Sequence, residues 1–364
     1  MPYLKTFKER GYEVDVAIGG PPVAIEWADR VIQLPLVKSM LAPANLAAVR
    51  GLRREIHRQH YDAVFVHTSL AAFFTRLALT GLRHRPRTVC VVHGYLFDDH
   101  TPPVLRLLLT GAEKLTAPVT DWLLTMNAWD DAFARRHRLG RNLRMIPGMG
   151  VDFSRLKGVD PARAAALRRE LGFSPDDFLL IYPAEFSERK NQALLLRAAA
   201  ELPANVKLLL PGQGALLEDC RALARNLGME RRVVFPGQVS DIPLWLAAAD
   251  AAVSSSRIEG LPFNIMEAMG AGLPVVATDI KGHADLIEDA VTGLLFPSGD
   301  IESCRAQILR LLADPALRQS LGARARASIA PYALPQAMPK VLACYDEALR
   351  SADASVPMRL QKRG

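Results

Sequence analysis

The sequence has few of the features on which secreted or membrane-spanning proteins depend. It holds only 4 cysteines, which are widely scattered: Cys90, Cys220, Cys304 and Cys344. They form neither a metal-binding spacing nor a disulfide framework, which favours a reducing compartment. No apolar run approaches the ~20 residues that a membrane-spanning helix requires, and no signal peptide is recognisable at the start. We therefore expect a cytoplasmic protein.

Acidic residues are scarce in the first part of the chain. Residues 1–150 hold 20 Lys and Arg against 13 Asp and Glu, a net charge of +7, whereas residues 151–364 hold 25 of each sign and are neutral. A basic region suggests an anionic partner, such as the inner face of the cell membrane, a lipid-linked phosphate or nucleic acid. Nucleic acid is the least favoured, because no aromatic-interleaved basic strand or recognition-helix pattern accompanies the charge. A basic surface that serves only solubility is as good an interpretation as peripheral membrane contact.

The chain has the length and hydrophobic content of two domains. It contains 364 residues, half of them hydrophobic, and ordinary domains are shorter than this. Apolar segments alternate with helical patterns throughout, which predicts α/β domains with parallel, doubly wound sheets. The irregular Pro147–Asp152 stretch, with two glycines and a proline, predicts a hinge. The predicted domains are 1–150 and 151–334, followed by a helix at 335–350 and a disordered basic tail at 351–364.

One stretch, residues 250–293, carries the clearest functional pattern. Its apolar start (residues 251–253) predicts a buried strand, a polar loop follows, and Pro262 predicts the first turn of a helix, where proline sacrifices no hydrogen bond. The free amides at such a helix start form an anion site; here they belong to Leu261, Phe263 and Asn264.

Two glutamates flank this helix start. Glu259 lies in the loop before the helix and Glu267 inside it. One carboxylate can therefore face a group at the mouth of the helix while the other reaches a more distant group of the same ligand. A phosphate flanked by two hydroxylated moieties fits that layout, as in a nucleotide-sugar. The alternative is a structural β-α unit with solvated glutamates.

The segment SSSRIEGLPFNIMEAMGAGLPVVATDIKG, which contains Glu259 and Glu267, closely resembles the donor-site signature of retaining glycosyltransferase family 4. The resemblance implies the GT-B fold, in which two Rossmann-like domains face a cleft and the last helix returns to the first domain. The stretch from His93 to Asp131 also resembles capsular and exopolysaccharide members. The implied activity is retaining transfer of a hexosyl or N-acetylhexosaminyl group from a nucleotide-sugar, with UDP the commonest nucleotide.

The resemblance assigns roles in the second half. Lys190 matches the lysine that binds the donor diphosphate, and Arg189 supplies a second cation because Glu185 occupies the usual arginine position. We expect both cations in the first turn of a helix. Glu259 orients the sugar and Glu267 holds the ribose. The remaining donor contacts are expected from Gly260 and the helix amides, from Gly212 and Gly214, and from Val239 and Ser240 beside the base.

Two histidines follow predicted strands in the first half. The resemblance places His93 near the sugar, where it assists proton handling, and His67 on the acceptor side. Asp98, Asp99 and His100 form an acidic loop, but its context does not match a metal motif. We therefore expect no metal and no cofactor, and catalysis by stabilisation of the leaving diphosphate while the domains close about the hinge.

The acceptor implied by the resemblance is a glycan or a polyprenyl-diphosphate-linked sugar in cell-surface polysaccharide synthesis. Two alternatives stay open: a different enzyme on the same fold, such as a nucleotide-sugar epimerase or a phosphorylase, and a non-catalytic nucleotide-sugar-binding protein. The second gains weight from the start of the sequence, where the strand and glycine-rich turn that normally open such a domain are missing. We expect either that this strand has been lost or that Met1 is not the natural start.

Overall fold

The computed structural model describes residues 2–37, 39–40 and 42–350. The chain forms two compact units: the first runs to Gly148 and takes up the chain again from Met338, and the second comprises Met149–Ala337. The expected tail at 351–364 lies outside the described residues. None of the described helices is long and apolar enough to cross a bilayer.

The first unit alternates strands and helices. Its helices are α1 (Pro2–Glu9), α2 (Pro43–Gln59), α3 (Ser69–Leu79), α4 (Pro103–Thr116) and α5 (Ala128–His137), and its strands are β1 (Asp15–Ile18), β2 (Arg30–Gln33), β3 (Ala63–His67), β4 (Arg87–Val91), β5 (Trp122–Thr125) and β6 (Asn142–Met145). Strands β3 to β6 form one parallel sheet in sequence order, and β1 pairs in parallel with β2 in a separate sheet. The side chains of β4 and β5 are almost all buried, so the core of this unit lies around these two strands.

Strands β1 and β3 are edge strands in the described part of this unit, as are β2 and β6. Among the described residues, β1 pairs with β2 alone and β3 with β4 alone. Their side chains are mostly half-buried, whereas those of β5 are buried throughout. The hypothesis that a first strand beside β1 is missing stays a prediction.

The second unit contains a six-stranded parallel sheet in the order β12-β11-β10-β7-β8-β9. Its strands are β7 (Phe178–Ile181), β8 (Val206–Leu209), β9 (Val233–Val234), β10 (Ala251–Ser254), β11 (Val275–Asp279) and β12 (Leu294–Pro297), and its helices are α6 (Pro161–Glu170), α7 (Gln192–Ala200), α8 (Leu217–Asn226), α9 (Ile242–Ala247), α10 (Phe263–Ala271), α11 (Ile301–Ala313) and α12 (Pro315–Ser328). The sequence analysis did not predict α6 or β12. The apolar side chains of β7, β8 and β10 form the core with those of α7 and α11.

The last described helix, α13 (Leu334–Arg350), spans the boundary between the two units. From Met338 onward it belongs to the first unit, where the Tyr345 ring lies 4.6 Å from that of Phe65 and 6.1 Å from that of Phe7. Arg10 also pairs with Asp346 at 2.7 Å. The helix therefore completes the aromatic core beneath α1 and β3.

Candidate functional site

The candidate site lies at the carboxyl ends of β7 and β10. These neighbouring strands pair with Ala251 opposite Leu180, so the loops that follow them leave the sheet at the same edge. The loops are joined by hydrogen bonds from the Arg257 amide to the Arg189 carbonyl (2.8 Å) and from Ser255 Oγ to the Asn191 carbonyl (2.8 Å). This pairing brings together side chains that are about 70 residues apart in the sequence.

Glu259 is the centre of the site. Its Oε1 accepts from Lys190 Nζ and from Ser256 Oγ, both at 2.6 Å, and its Oε2 accepts from Arg189 Nη1 at 2.8 Å. The Tyr182 hydroxyl lies 2.7 Å from Ser256 Oγ and continues the chain of hydrogen bonds into the core. Glu259 and Lys190 are only 7% and 8% exposed, whereas the Arg189 side chain is 37% exposed.

The electrostatics of this cluster favour an ionised Glu259. Burial raises the pKa of Glu259, but Lys190 and Arg189 outweigh it, so the pKa lies below its usual value. Burial lowers the pKa of Lys190, and Glu259 offsets part of that effect. Two cations thus face one carboxylate, and the cluster keeps a net positive charge that suits an anionic ligand.

Helix α10 begins beside this cluster without a capping side chain. The amides of Leu261, Phe263 and Asn264 find no acceptor within the described part of the chain, as is usual for the first turn of a helix. The Asn264 side chain donates to the Pro183 carbonyl at 3.1 Å and so fixes the helix start to the end of β7. These amides remain available to an anion.

Glu267 lies on α10 and faces the short 3-10 helix Phe153–Leu156. Burial raises the pKa of its carboxyl group, and Arg155 opposes the shift. Its carboxylate forms no hydrogen bond or ion pair with any residue that the structure describes. A half-buried acceptor without a protein partner is available for a ligand hydroxyl.

The Gly212–Gly214 loop follows β8 and packs on the loop after β7. A Cβ on Gly212 would overlap the Ala184 carbonyl, and one on Gly214 would overlap the backbone of Phe186. Glycine is required at both positions for this close approach. The Gly212 amide donates to the Gly237 carbonyl at 2.8 Å, which connects this loop to the one that carries half-buried Val239 and exposed Ser240.

His283 lies beneath the cluster rather than at its surface. It is fully buried, and its ring nitrogens contact Ser254 Oγ at 3.2 Å and the Thr278 carbonyl at 2.8 Å. Burial lowers the pKa of His283, against the opposing charge of Glu259, and so favours the neutral ring. It supports the loop after β10 from below.

His67 and His93 lie together in the first unit. His67 is the last residue of β3 and His93 follows the neighbouring strand β4, and His67 Nδ1 is 3.0 Å from His93 Nε2. Burial, and then His93, lower the pKa of His67 to about 4, and burial lowers that of His93. At neutral pH one uncharged ring therefore donates to the other.

The acidic loop in the first unit is engaged in local contacts. Asp98 Oδ1 accepts from the His100 amide at 2.9 Å, and Asp99 pairs with Arg106 at 2.8 Å and accepts from Trp129 Nε1 at 2.7 Å. Among the described residues, no three or more potential ligands gather into a metal-binding group.

The structure joins three predicted site residues, Arg189, Lys190 and Glu259, in one cluster, and it places the α10 amides beside them. One expectation was wrong: the two cations precede α7, which begins at Gln192 after Asn191 in a left-handed conformation (φ 52°). The sequence analysis missed Ser256 and Tyr182. Three consecutive polar residues after a buried strand, Ser254 to Ser256, were the available signal.

Comparisons with known proteins identify the family of this chain. Residues 3–183 match the model described as Glycosyltransferase Family 4, and residues 164–328 match that described as Glycosyl transferases group 1. Bacillus subtilis "Putative glycosyltransferase EpsD" is 36% identical over 331 residues, which cover 90% of this chain and 87% of that protein. The chain therefore belongs to the group 1 and family 4 glycosyltransferases and is a GT-B transferase.

A second relative and a solved structure are more distant. Escherichia coli UDP-Gal:alpha-D-GlcNAc-diphosphoundecaprenol alpha-1,3-galactosyltransferase is 25% identical over 285 residues, which cover 75% of this chain and 72% of that protein. The crystal structure of Anabaena HepE in complex with UDP and glucose has a TM-score of 0.75 and 22% identity, and the match covers 88% of this chain and 87% of that one. The structural likeness establishes the GT-B fold.

Proposed function

We propose that the protein transfers a hexosyl or N-acetylhexosaminyl group from a UDP-sugar to a glycan or polyprenyl-diphosphate-linked acceptor, with retention and without a metal. The observation that carries this proposal is the Glu259 cluster, with two cations on one carboxylate beside the uncapped start of α10. The names of the relatives support the substrate classes: one is a UDP-galactose transferase that acts on a diphosphoundecaprenol-linked sugar, and the HepE structure contains UDP and glucose.

The two carboxylate oxygens of Glu259 differ in a way that suggests a sequence of events. Oε1 is held by both Lys190 and Ser256, whereas Oε2 is held only by the more exposed Arg189. When a donor enters, Arg189 turns from Oε2 to the diphosphate. Oε2 is then free to accept a hydroxyl of the sugar, while Lys190 keeps Glu259 ionised and in place.

The leaving group is stabilised by preorganised charge. In the transfer step the bond between the anomeric carbon and the diphosphate breaks, and the acceptor oxygen attacks the same face of the sugar. The departing phosphate takes the acceptor proton, so the site needs no separate base. Arg189, Lys190 and the α10 amides stabilise the negative charge that develops on the diphosphate; such preorganised donors are typically worth ~10²–10³ each in rate.

The other predicted residues complete this assignment. Glu267 accepts the ribose hydroxyls, Gly260, Gly212 and Gly214 approach the nucleotide with their backbone, and Val239 and Ser240 hold the base. In the first unit, the His67–His93 pair serves the acceptor side, where His93 contacts a sugar hydroxyl. We place the protein in the cytoplasm, peripheral to the inner face of the membrane, in cell-surface polysaccharide synthesis.

The first experiment is a thermal-shift screen of nucleotide-sugars, because a ligand that binds the folded state raises the unfolding temperature. The best donor is then assayed for transfer to a lipid extract from the cell envelope, and the anomeric configuration of the product is determined by NMR. We expect an α-linked product from an α-linked donor. An inverted product would refute front-face retention, conversion of the donor without an acceptor would indicate an epimerase, and binding without turnover would indicate a non-catalytic protein.

The matched variants are Glu259→Gln and Glu188→Gln. Both remove one carboxylate from the same pair of loops, but Glu188 is exposed and outside the cluster. We expect Glu259→Gln to lower kcat by roughly 10²-fold or more, whereas Glu188→Gln retains the wild-type rate. Equal rates for the two variants would exclude Glu259 from the reaction.

A further inference from the structure

Helix α4 of the first unit presents most of its apolar side chains outward. Val104, Leu107, Leu108 and Leu115 are 73%, 73%, 66% and 63% exposed. They recur at a helical spacing of three, four and seven residues and so form one stripe, which is here called the α4 apolar face. The buried residues of the same helix are polar: Thr110, Glu113 and Thr116. The helix is thus reversed relative to an ordinary surface helix.

One inward ion pair fixes this orientation, and the inward threonines are satisfied within the helix itself. Glu113 pairs with buried Arg76 of α3 at 2.8 Å. Thr110 Oγ1 donates to the Arg106 carbonyl at 2.7 Å, and Thr116 Oγ1 donates to the Ala112 carbonyl at 3.2 Å. A rotation of the helix that buried the leucines would remove Glu113 from Arg76. The Arg76 charge would then be buried without a partner, at a high free-energy cost. The outward leucines are therefore a fixed feature of the fold.

Cations lie beside the α4 apolar face. Lys114 lies on α4 itself, next to Leu115 of the stripe, and Arg136 lies on α5. Burial lowers the pKa of His137 on α5, and Lys114, Arg136 and Arg106 lower it further, so all three cations act on this ring. Arg106 is paired with Asp99. Lys114 and Arg136 form no ion pair with any residue in the described segments, so they are available to an anionic partner.

We propose that the α4 apolar face docks the protein on an anionic lipid bilayer, with the four apolar side chains at the level of the acyl chains and Lys114 and Arg136 against the headgroups. Contiguous exposed apolar side chains mark interaction surfaces, and an apolar helix face with a cationic border is typical of interfacial helices. A second copy of the chain fits less well, because a symmetric contact would bring two such cation clusters together. The inference is independent of the donor chemistry and assigns membrane contact to one surface.

The test is co-sedimentation of the full chain with vesicles of phosphatidylglycerol and phosphatidylcholine in equal parts, compared with phosphatidylcholine alone. We expect binding to the anionic vesicles. The double variant Leu107→Gln with Leu108→Gln should weaken it about tenfold or more, because both apolar contacts are lost. Lys114→Glu with Arg136→Glu should also weaken it, since each cation near an anionic surface contributes about fivefold.

The controls are Leu46→Gln, at a leucine of α2 that is 53% exposed, and Arg324→Glu on α12. Both should retain wild-type binding. All variants should keep the wild-type unfolding temperature and the shift produced by a nucleotide-sugar, which separates this test from that of the proposed function. Unchanged vesicle binding by the leucine variant would overturn the proposal. The proposal would also be overturned if the wild type did not bind vesicles but formed a dimer in sedimentation equilibrium, and if the leucine variant were monomeric.

Discussion

Each unit of the molecule contains a buried cation–carboxylate contact, and the two differ in stoichiometry. In the first unit Arg76 pairs with Glu113 one to one, and Arg76 completes its bonding with the Ala72 carbonyl at 3.1 Å. In the second unit, Glu259 accepts from two cations and a hydroxyl. In the first contact the charges of Arg76 and Glu113 cancel. The second retains positive charge, and it lies at the edge of a parallel sheet where such folds bind ligands.

The comparison teaches that burial of an ion pair is a poor indicator of function. Both contacts are buried and both join elements distant in sequence. What distinguishes the Glu259 cluster is the excess cation together with amides that lack acceptors at the start of α10. Substitutions at each of the two contacts test that distinction.

The largest expected effect is on stability, and it comes from breaking the Arg76–Glu113 pair. Arg76→Met leaves Glu113 buried without a partner, so we expect the free energy of unfolding of the first unit to fall by about 3–5 kcal/mol, measured by urea denaturation. The nucleotide-sugar thermal shift of the folded protein should persist. Addition of Glu113→Leu should recover most of the loss. If the double variant is as unstable as the single one, the pair contributes more than charge compensation.

The next largest effect is on activity, and it comes from breaking the Glu259 cluster. Lys190→Ala should lower transfer by roughly 10²–10³-fold, or ~2.7–4 kcal/mol in activation free energy. Its loss of stability should be smaller than for Arg76→Met, because Glu259 keeps Arg189 and Ser256. Lys207→Ala, which removes a lysine that pairs with Asp177 in the same unit, is the control. Combining Lys190→Met with Glu259→Gln should leave the protein folded yet inactive, in contrast to the rescue at Arg76; recovered transfer would contradict the assignment.

The smallest effect concerns pH. The folded pKa of Glu259 lies below the 4.5 of the unfolded chain, so the folded state binds this proton less readily. Its contribution to stability is complete above pH 4.5 and is lost as the pH falls through the folded pKa. The difference in unfolding free energy between wild type and Glu259→Gln should therefore shrink below pH 4.5. A difference that is constant from pH 7 to pH 3 would show that Glu259 is not held ionised.

Local patterns predicted most of the fold. The apolar runs at 63–66, 88–92, 122–125, 178–182, 206–210 and 251–253 predict strands, because buried parallel strands are continuous apolar segments. Strands β3, β4, β5, β7, β8 and β10 begin and end within one residue of these runs. Helix α6 was missed because it buries only Ala164 and has no apolar stripe. Strand β12 was missed because its four residues end in proline and depend on pairing with β11 for their conformation.

The components of the site were predictable, but their connections were not. The amides and Glu259 follow from one continuous segment. The bonds from Lys190 and Arg189 to Glu259 cross 69 and 70 positions of sequence, and only the adjacency of β7 and β10 creates them. In the same way, the pattern at 104–116 predicts the helix α4. Which face this helix buries depends on Arg76, which lies 37 positions from Glu113.

The path of the chain through α13 has a consequence for biosynthesis. The second unit is continuous in sequence, whereas the first lacks the Tyr345 ring against Phe7 and Phe65 until residues 338–350 emerge from the ribosome. The amino-terminal unit is thus the last to be completed, which reverses the usual order of domain folding during synthesis. In a released chain that ends at Ala337, the second unit should resist protease while the first is digested.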